Sequence, residues 1–466
     1  MTSKKKFDLA VIGAGPGGYV AAIKAAQFGL KVALIEKNFI GGTCLNVGCI
    51  PTKALISSGV RLEEIKQADR LGIVAKDVHF DFAKIMERKN KVVSQLRQSL
   101  EGLIKSNKIE IIVGEASFIS SNELKVVGIP SFVIEAENII IAVGSAPREI
   151  KAFPTDGKII HNSTTILELK QLPKSLTVIG GGYIGCEFAS LFLSLGVDVS
   201  IVESLDSLVI QNEPAICEEL TSIFKKKGMK IYTSCQVKNV QTKNNGAHIE
   251  LSNGETIDSE IVLVSVGRQF VAESLNLQKA GVQVNEHGAI IVNSQMQTNI
   301  VGIYAIGDAT GKWMLAHFAS HAGIVAAYNI AGHIKQLHTN AVPSVIFTHP
   351  EIASVGLTEK LAREEGYDYK VTKYPFRALG KALASDQLEG FAMLITDNKT
   401  GQILGAHLIG TGADNLIAEM ALAIENELTI ECLIETIHAH PTLAEVWMEA
   451  GMVANGTPLH FAPIRR

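Results

Sequence analysis

The stretch "FDLAVIGAGPGGYVAAIKAAQFGLKVALIE", residues 7–36, decides the fold. A short apolar run, a glycine turn, an alanine-rich segment of helical character and a second apolar run spell strand, turn, helix, strand. Such a βαβ unit builds a parallel sheet. Gly13, Gly15 and Gly18 form a GxGxxG pattern in the turn. In a dinucleotide site the first glycine turns the chain, the second lets backbone approach a pyrophosphate, and the third allows close packing of helix on strand. The helix N-terminus adds partial positive charge for the anion. Glu36 lies 23 residues after Gly13 and closes the second strand, where a carboxylate accepts hydrogen bonds from ribose hydroxyls.

The pattern then restarts. "SLTVIGGGYIGCEFASLFLSLGVDVSIVE", residues 175–203, repeats it with Gly180, Gly182, Gly185 and, again 23 residues on, Glu203. One glycine pattern is weak evidence, but the same strand, helix and terminal acid twice in one chain imply two dinucleotide-binding domains. A 2′-phosphate would meet like charge at Glu203, and no lysine or arginine occurs between Ile201 and Asp206, so NAD is expected over NADP. Two nicotinamide cofactors would do little chemistry together, whereas a flavin and a nicotinamide form an electron-transfer pair. "TNIVGIYAIGDAT", residues 298–310, supports the flavin, because a short strand delivers Gly307 and the sugar-binding carboxylate of Asp308 to its end. Gly144, after "NIIIAV", and Gly267, after "VLVSV", complete the expected cofactor-binding glycines.

The chain has 466 residues, room for about three domains of ordinary size. Its 47% hydrophobic and 19% charged residues exclude a disordered chain. A net charge of -4 gives no electrostatic reason to expect nucleic acid or an anionic membrane as partner. Lys24, Lys31 and Glu36 interrupt the most apolar early segment, so no membrane span is expected. Asp8 and the glycines likewise break any signal-peptide core, and the fold is expected to begin at once. Six cysteines are too sparse for a secreted disulfide framework, which makes a cytoplasmic location the expectation, or an organelle matrix if a transit peptide was removed.

A long amphipathic helix is expected over 82–107, followed by strand-like runs to residue 144. From Pro343 onward strands such as "FAMLITDN" and "GQILGAHLIG" alternate with helices, and no glycine fingerprint occurs. The expected fold class is α/β, with two Rossmann-like dinucleotide-binding domains and a C-terminal α+β domain.

"GGTCLNVGCIPTK", residues 41–53, sets Cys44 and Cys49 five positions apart. Zinc fits poorly, since the spacing is not CxxC and no nearby pair completes four ligands; no metal is expected. A structural staple would enclose a loop too short to remove much unfolded-state entropy. A redox pair fits better, because Pro51 suits the first turn of a helix whose N-terminus favours thiolate. Lys53 falls in that turn and reads either as a surface lysine or as a charge beside the flavin, paired with Glu187. "HAHPTLAE" brings His438, His440 and Glu445 together. Histidine moves protons at neutral pH, and a carboxylate can orient it. Thr442 and Glu445 also match a capping box, a competing role for that acid.

In order, "GAGPGGYVAA", "GGTCLNVGCIPTK", "GGGYIGCEFAS", "YAIGDA" and "HAHPTLAE" resemble the pyridine nucleotide-disulfide oxidoreductases over nearly the full chain. The resemblance is strongest to class I members that oxidise dihydrolipoyl groups with NAD. It implies an FAD domain over 1–149, an NAD domain over 150–275, a central domain completing the FAD site over 276–342 and a dimerisation domain over 343–466. It also implies a homodimer whose active site joins one subunit's disulfide and flavin to the other's histidine. Carried onto this sequence, Cys44 exchanges with substrate and Cys49 faces the flavin. His440 is the base, oriented by Glu445; Lys53 and Glu187 lie near the isoalloxazine. Glu36 and Asp308 hold FAD, and Glu203 holds the NAD ribose. The implied partners are lipoyl domains and the E2 core of 2-oxo acid dehydrogenase complexes, or the H protein of glycine cleavage. The alternatives are a reductase of another small disulfide and a flavin-binding redox sensor or scaffold. Two positions depart from the family, Thr52 where serine is frequent and Ala444 where some members are polar.

Overall fold

A computed structural model describes residues 4–243 and 246–462. The chain forms two compact units, one from 4–54, 83–148 and 267–338, the other from 55–82, 149–266 and 339–462.

The first unit is built on a seven-stranded sheet among the described residues. Strand Lys4–Ile12 runs parallel to Val32–Glu36 on one side and to Phe132–Ile141 on the other. Leu9, Ala10 and Val11 have no exposed surface, because a parallel strand is covered on both faces. That double covering is why the sequence is continuously apolar there instead of alternating. Ile303–Ala305 pairs in parallel with Ile139, Ile140 and Ile141, so Gly13, Glu36 and Asp308 all follow strand ends at one edge of the sheet. Ligands of open α/β sheets bind outside that carboxyl edge.

Three local expectations are refined. Within the strand-like runs expected up to residue 144, one ten-residue strand spans Phe132–Ile141, and the stretch 109–119 breaks into two strands at Gly114. The long helix is Phe82–Ser106. The cysteine segment is helical on both sides of Gly48, as Gly42–Val47 and Cys49–Lys66.

The second unit holds the second fingerprint in a five-stranded parallel sheet, with Ser175–Ile179 between Asp198–Val202 and Ile261–Val264. Its other large sheet is antiparallel, with Ile403–Gly410 between Glu351–Gly356 and Phe391–Asp397. All eight residues of Ile403–Gly410 are buried. Helices Ala413–Glu425 and Glu445–Ala454 contribute Ile417, Met420, Val446 and Trp447 to the same core as Tyr374 and Phe376. Trp447 is wholly buried, and its indole N–H donates to the Leu416 carbonyl at 2.9 Å.

Replacing Trp447 by alanine should therefore cost about 3–5 kcal/mol. Urea unfolding followed by far-UV circular dichroism checks this, and an unshifted transition would contradict the packing described.

Candidate active site

The two fingerprints obey one geometry. A Cβ added at Gly13 would strike the Ala142 carbonyl, and one at Gly18 the Gly13 carbonyl. In the second copy a Cβ at Gly180 would strike the Ser265 carbonyl, and one at Gly185 the Gly180 carbonyl. The first and third glycines are thus demanded by the protein's own packing. The middle glycines are not: a Cβ on Gly15 would come no nearer than 4.0 Å to any neighbour, and one on Gly182 would meet nothing within 4 Å. Open space above a glycine at a helix N-terminus is the cradle that a pyrophosphate needs. Helices Pro16–Gln27 and Tyr183–Ser194 begin directly after these glycines.

The terminal acids do something the spacing did not reveal. Glu36 accepts from the Ala14 N–H at 2.8 Å and from the Asn38 N–H at 2.8 Å. Glu203 accepts from the Gly181 N–H at 2.6 Å and from the Leu205 N–H at 2.8 Å. Each carboxylate reaches back to the amide following the first glycine of its own motif, and so braces the turn. Glu203 Oε1 also accepts from the Ser204 hydroxyl at 3.1 Å, but its Oε2 and both oxygens of Glu36 keep a further lone pair, so ribose binding at Glu36 and Glu203 is compatible with this brace. Gly144 and Gly267 both adopt positive φ, 71° and 107°, with open space where a side chain would stand. Asp308 follows Gly307, whose φ is 64°, and its Oδ2 accepts from the Ser145 hydroxyl at 2.5 Å.

The cysteine segment packs directly on the first fingerprint. The Gly41 N–H donates to the Ala14 carbonyl at 2.8 Å, and a Cβ on Gly42 would lie 2.6 Å from the Gly15 Cα. Asn46 ties the short helix back on itself, its side-chain N–H groups reaching the Ile40 and Gly42 carbonyls. Cys44 lies in this helix and Cys49 opens the next, and both are half-buried. The hydrogen bond with Cys49, burial and the charge on Cys49 all push the Cys44 thiol up. The Lys53 ammonium and the Cys49 backbone N–H act in the opposite sense but are outweighed. Burial and the neighbouring Cys49 sulfur thus favour the protonated form of Cys44. Tyr19, which sequence reasoning passed over, is also raised, by burial and by the charge of Cys44. Its position one residue after Gly18 was the available signal.

At the other end of the sequence, His440 Nδ1 and Glu445 Oε1 are 2.8 Å apart, while Glu445 Oε2 accepts from the Thr442 N–H at 2.8 Å. The two roles weighed for Glu445 coexist, one on each oxygen. The capping box is only half formed: helix Glu445–Ala454 has no side-chain cap at its N-terminus, and the Thr442 hydroxyl donates to the Ala439 carbonyl. Burial works to raise the Glu445 carboxyl, but Thr442 and His440 outweigh it and hold it below the usual carboxylate range. With a carboxylate on Nδ1, the neutral imidazole carries its proton there and leaves Nε2 as acceptor. The His440 side chain is 78% exposed, so Nε2 is within reach of a substrate. His438 is held differently, with 6% exposure and its ring nitrogens 2.9 Å from Glu419 and from the Thr436 carbonyl.

Glu187 is buried on helix Tyr183–Ser194 and accepts from the Phe347 N–H at 3.0 Å; one turn on, the Ser190 hydroxyl accepts from the His349 N–H at 3.0 Å. Among the described residues no group of three or more His, Cys, Asp or Glu side chains is placed to hold a metal, and no helix is long and apolar enough to cross a membrane.

Residues 7–323 match the family described as pyridine nucleotide-disulphide oxidoreductase, and residues 342–451 match its dimerisation domain. A dihydrolipoyl dehydrogenase of Chlamydia pneumoniae is 49% identical over 98% of this chain and 99% of its own. One from Bacillus subtilis is 43% identical over 97% of each. Among solved structures, LpdA from Mycobacterium tuberculosis superposes with a TM-score of 0.90 at 26% identity, covering 95% of this chain and 98% of its own. The flavoprotein disulfide reductase RclA from Escherichia coli, crystallised as a Cu(II) complex, gives 0.87 at 30% identity, covering 96% and 99%.

Two outcomes follow from the geometry. Gly42→Ala drives a methyl group into the Gly15 backbone at a φ of 58°, so the variant should lose bound flavin about tenfold faster on dilution, read by flavin fluorescence. The depressed Glu445 carboxyl contributes stability in full above its unfolded value of about 4.3, and this is lost as the pH falls through the folded value. The stability gap between the parent and Glu445→Ala, measured by urea unfolding, should therefore narrow below about pH 4 and stay constant at neutral pH.

Proposed function

The chain belongs to the pyridine nucleotide-disulphide oxidoreductases, and we propose that it oxidises dihydrolipoyl groups and reduces NAD, as a dihydrolipoyl dehydrogenase does. FAD and NAD are its cofactors, and its dimerisation domain makes it a homodimer. The observation that carries this reading is the hydrogen-bonded Cys44–Cys49 pair, seated on the glycine turn of the first fingerprint. We assign residues 1–149 to FAD, 150–275 to NAD, 276–342 to the central domain and 343–466 to dimerisation. The lipoyl groups come from lipoyl domains on the E2 core of 2-oxo acid dehydrogenase complexes, or from the glycine-cleavage H protein, in the cytoplasm.

In this reading the oxidised protein carries a Cys44–Cys49 disulfide. A dihydrolipoyl thiolate attacks the Cys44 sulfur, the disulfide breaks, and a mixed disulfide between Cys44 and the lipoyl group forms as Cys49 leaves as thiolate. The second lipoyl thiol then passes its proton to Nε2 of His440 and displaces Cys44, closing the lipoyl disulfide; the imidazolium returns that proton to the departing Cys44 sulfur, which leaves a Cys44 thiol and a Cys49 thiolate. Glu445 keeps the Nδ1 proton in place and stabilises the imidazolium that forms, as in other base–orienter pairs. In the homodimer we assign His440 to the disulfide of the other copy. When bound, FAD and NAD supply a two-electron acceptor for the dithiol and a carrier for the outgoing hydride. Lys53, in the first turn of its helix, acts on Cys44 as a fixed positive charge.

The likeness to RclA favours one second reading, reduction of another small disulfide by the same pair. Steady-state turnover separates them. The unsubstituted protein should oxidise dihydrolipoamide with NAD far faster than it reduces glutathione disulfide, and should prefer NADH to NADPH in the reverse direction. Cys44→Ser should lower dihydrolipoamide turnover at least a thousandfold. Substantial remaining turnover, or a preference for NADPH, would sink the assignment.

A further inference from the structure

Asp308 is the acid expected to hold FAD, yet a carboxylate beside a pyrophosphate cofactor needs both aim and neutralisation. The structure supplies both from two residues far apart in sequence. The Ser145 hydroxyl donates to Asp308 Oδ2 at 2.5 Å, and Arg268 Nε donates to that same hydroxyl oxygen at 2.6 Å. Arg268 Nη2 donates to the Ser145 carbonyl at 2.8 Å, and its Nε stands 3.7 Å from Asp308 Oδ2. The direction of every bond is forced. A guanidinium has no acceptor, so the serine hydrogen can point only at the carboxylate.

The three side chains are withdrawn from solvent. Ser145 is buried, and Arg268 and Asp308 keep 10% and 22% of their side-chain exposure. Ser145 and Arg268 belong to a two-stranded antiparallel ribbon in which Ser145–Pro147 pairs with Arg268–Phe270, and the Arg148 N–H donates to the Gly267 carbonyl at 3.0 Å. Residues 149–266 leave and return through this ribbon, so the two residues are 123 positions apart in sequence and adjacent in space. The guanidinium engages both the hydroxyl and the carbonyl of Ser145, charge-assisted hydrogen bonds that are stronger than neutral ones. The product is a carboxylate with Oδ2 committed and Oδ1 left to accept from a ligand hydroxyl.

We infer that Ser145 and Arg268 are positioning residues for the flavin cofactor, acting through Asp308 as a relay that aims its carboxylate and offsets its charge. The inference rests on the reading that this unit binds FAD. Arg268 fixes the serine, the serine fixes Oδ2, and the fixed carboxylate presents Oδ1 to a sugar or ribityl hydroxyl.

The test is FAD release from the holoenzyme, followed as the rise of flavin fluorescence on dilution into FAD-free buffer. Ser145→Ala and Asp308→Asn should each speed release about tenfold, and the double variant should be no faster than the faster single variant. Arg268→Lys keeps the charge but loses the two-point fork, and should also speed release. Multiplicative effects in the double variant, or an unchanged rate in Ser145→Ala, overturn the relay. If Ser145→Ala is isolated without flavin, Ser145→Thr, which keeps the hydroxyl, should retain it; a flavin-free Ser145→Thr also overturns the relay. Failures of the underlying reading look different. An unsubstituted protein without flavin sinks the cofactor assignment, and hence the relay. Normal flavin release with no dihydrolipoyl turnover sinks the reaction and leaves the relay standing.

Discussion

The backbone of Gly42 lies against the backbone of Gly15, with the Gly41 N–H bonded to the Ala14 carbonyl beside it. That close approach is possible only because Gly42 has no side chain, since a Cβ there would lie 2.6 Å from the Gly15 Cα. It brings the segment carrying Cys44 and Cys49 onto the turn that opens the first dinucleotide helix. The position of the redox pair thus depends on a glycine at 42. The strands beneath enforce the meeting, since Lys4–Ile12 and Val32–Glu36 are locked in parallel register from Leu9↔Val32 to Ile12↔Ile35.

The duplicated module shows how a motif is stabilised as well as what it binds. In each copy the acid that ends the second strand reaches back to the amide after the first glycine. A glycine turn is floppy in the unfolded chain and costs more entropy to order than any other sequence. A charge-assisted hydrogen bond from a rigid strand end offsets part of that cost. The acids thus hold the turn in shape whether or not a ribose is present. The cradle is preorganised on the protein side.

The proton chemistry is arranged by the same economy of parts. Glu445 divides its two oxygens between His440 and the Thr442 amide, so that one carboxylate holds both an imidazole and the backbone leading into a helix. The Cys44 thiol is hydrogen-bonded to Cys49 and lies in the field of Lys53, and burial with the Cys49 sulfur outweighs that cation. Burial and neighbouring charge set this balance, and neither is a property of a cysteine considered alone.

Much was legible from the chain itself, because strand periodicity, glycine spacing and terminal acids are local patterns that repeat at fixed intervals. The two βαβ units, the long helix ending at Ser106, the strands of the C-terminal part and the His440–Glu445 pair all follow from spacings of a few to a few dozen residues. The relay was not legible, although Asp308 stands in a motif, since Ser145 and Arg268 are 123 positions apart and neither stands in a recognisable pattern. Nor was the second demand on Gly42: its φ of 58° is a local reason for glycine, but the Gly15 backbone that a Cβ there would strike is 27 residues away in sequence. Neighbours along the chain are enough to mark which segments become strands and helices and which residue types are available for redox and proton transfer. Which of those residues touch, and which oxygen of each acid is already occupied, depends on neighbours in space and is seen only in the folded chain.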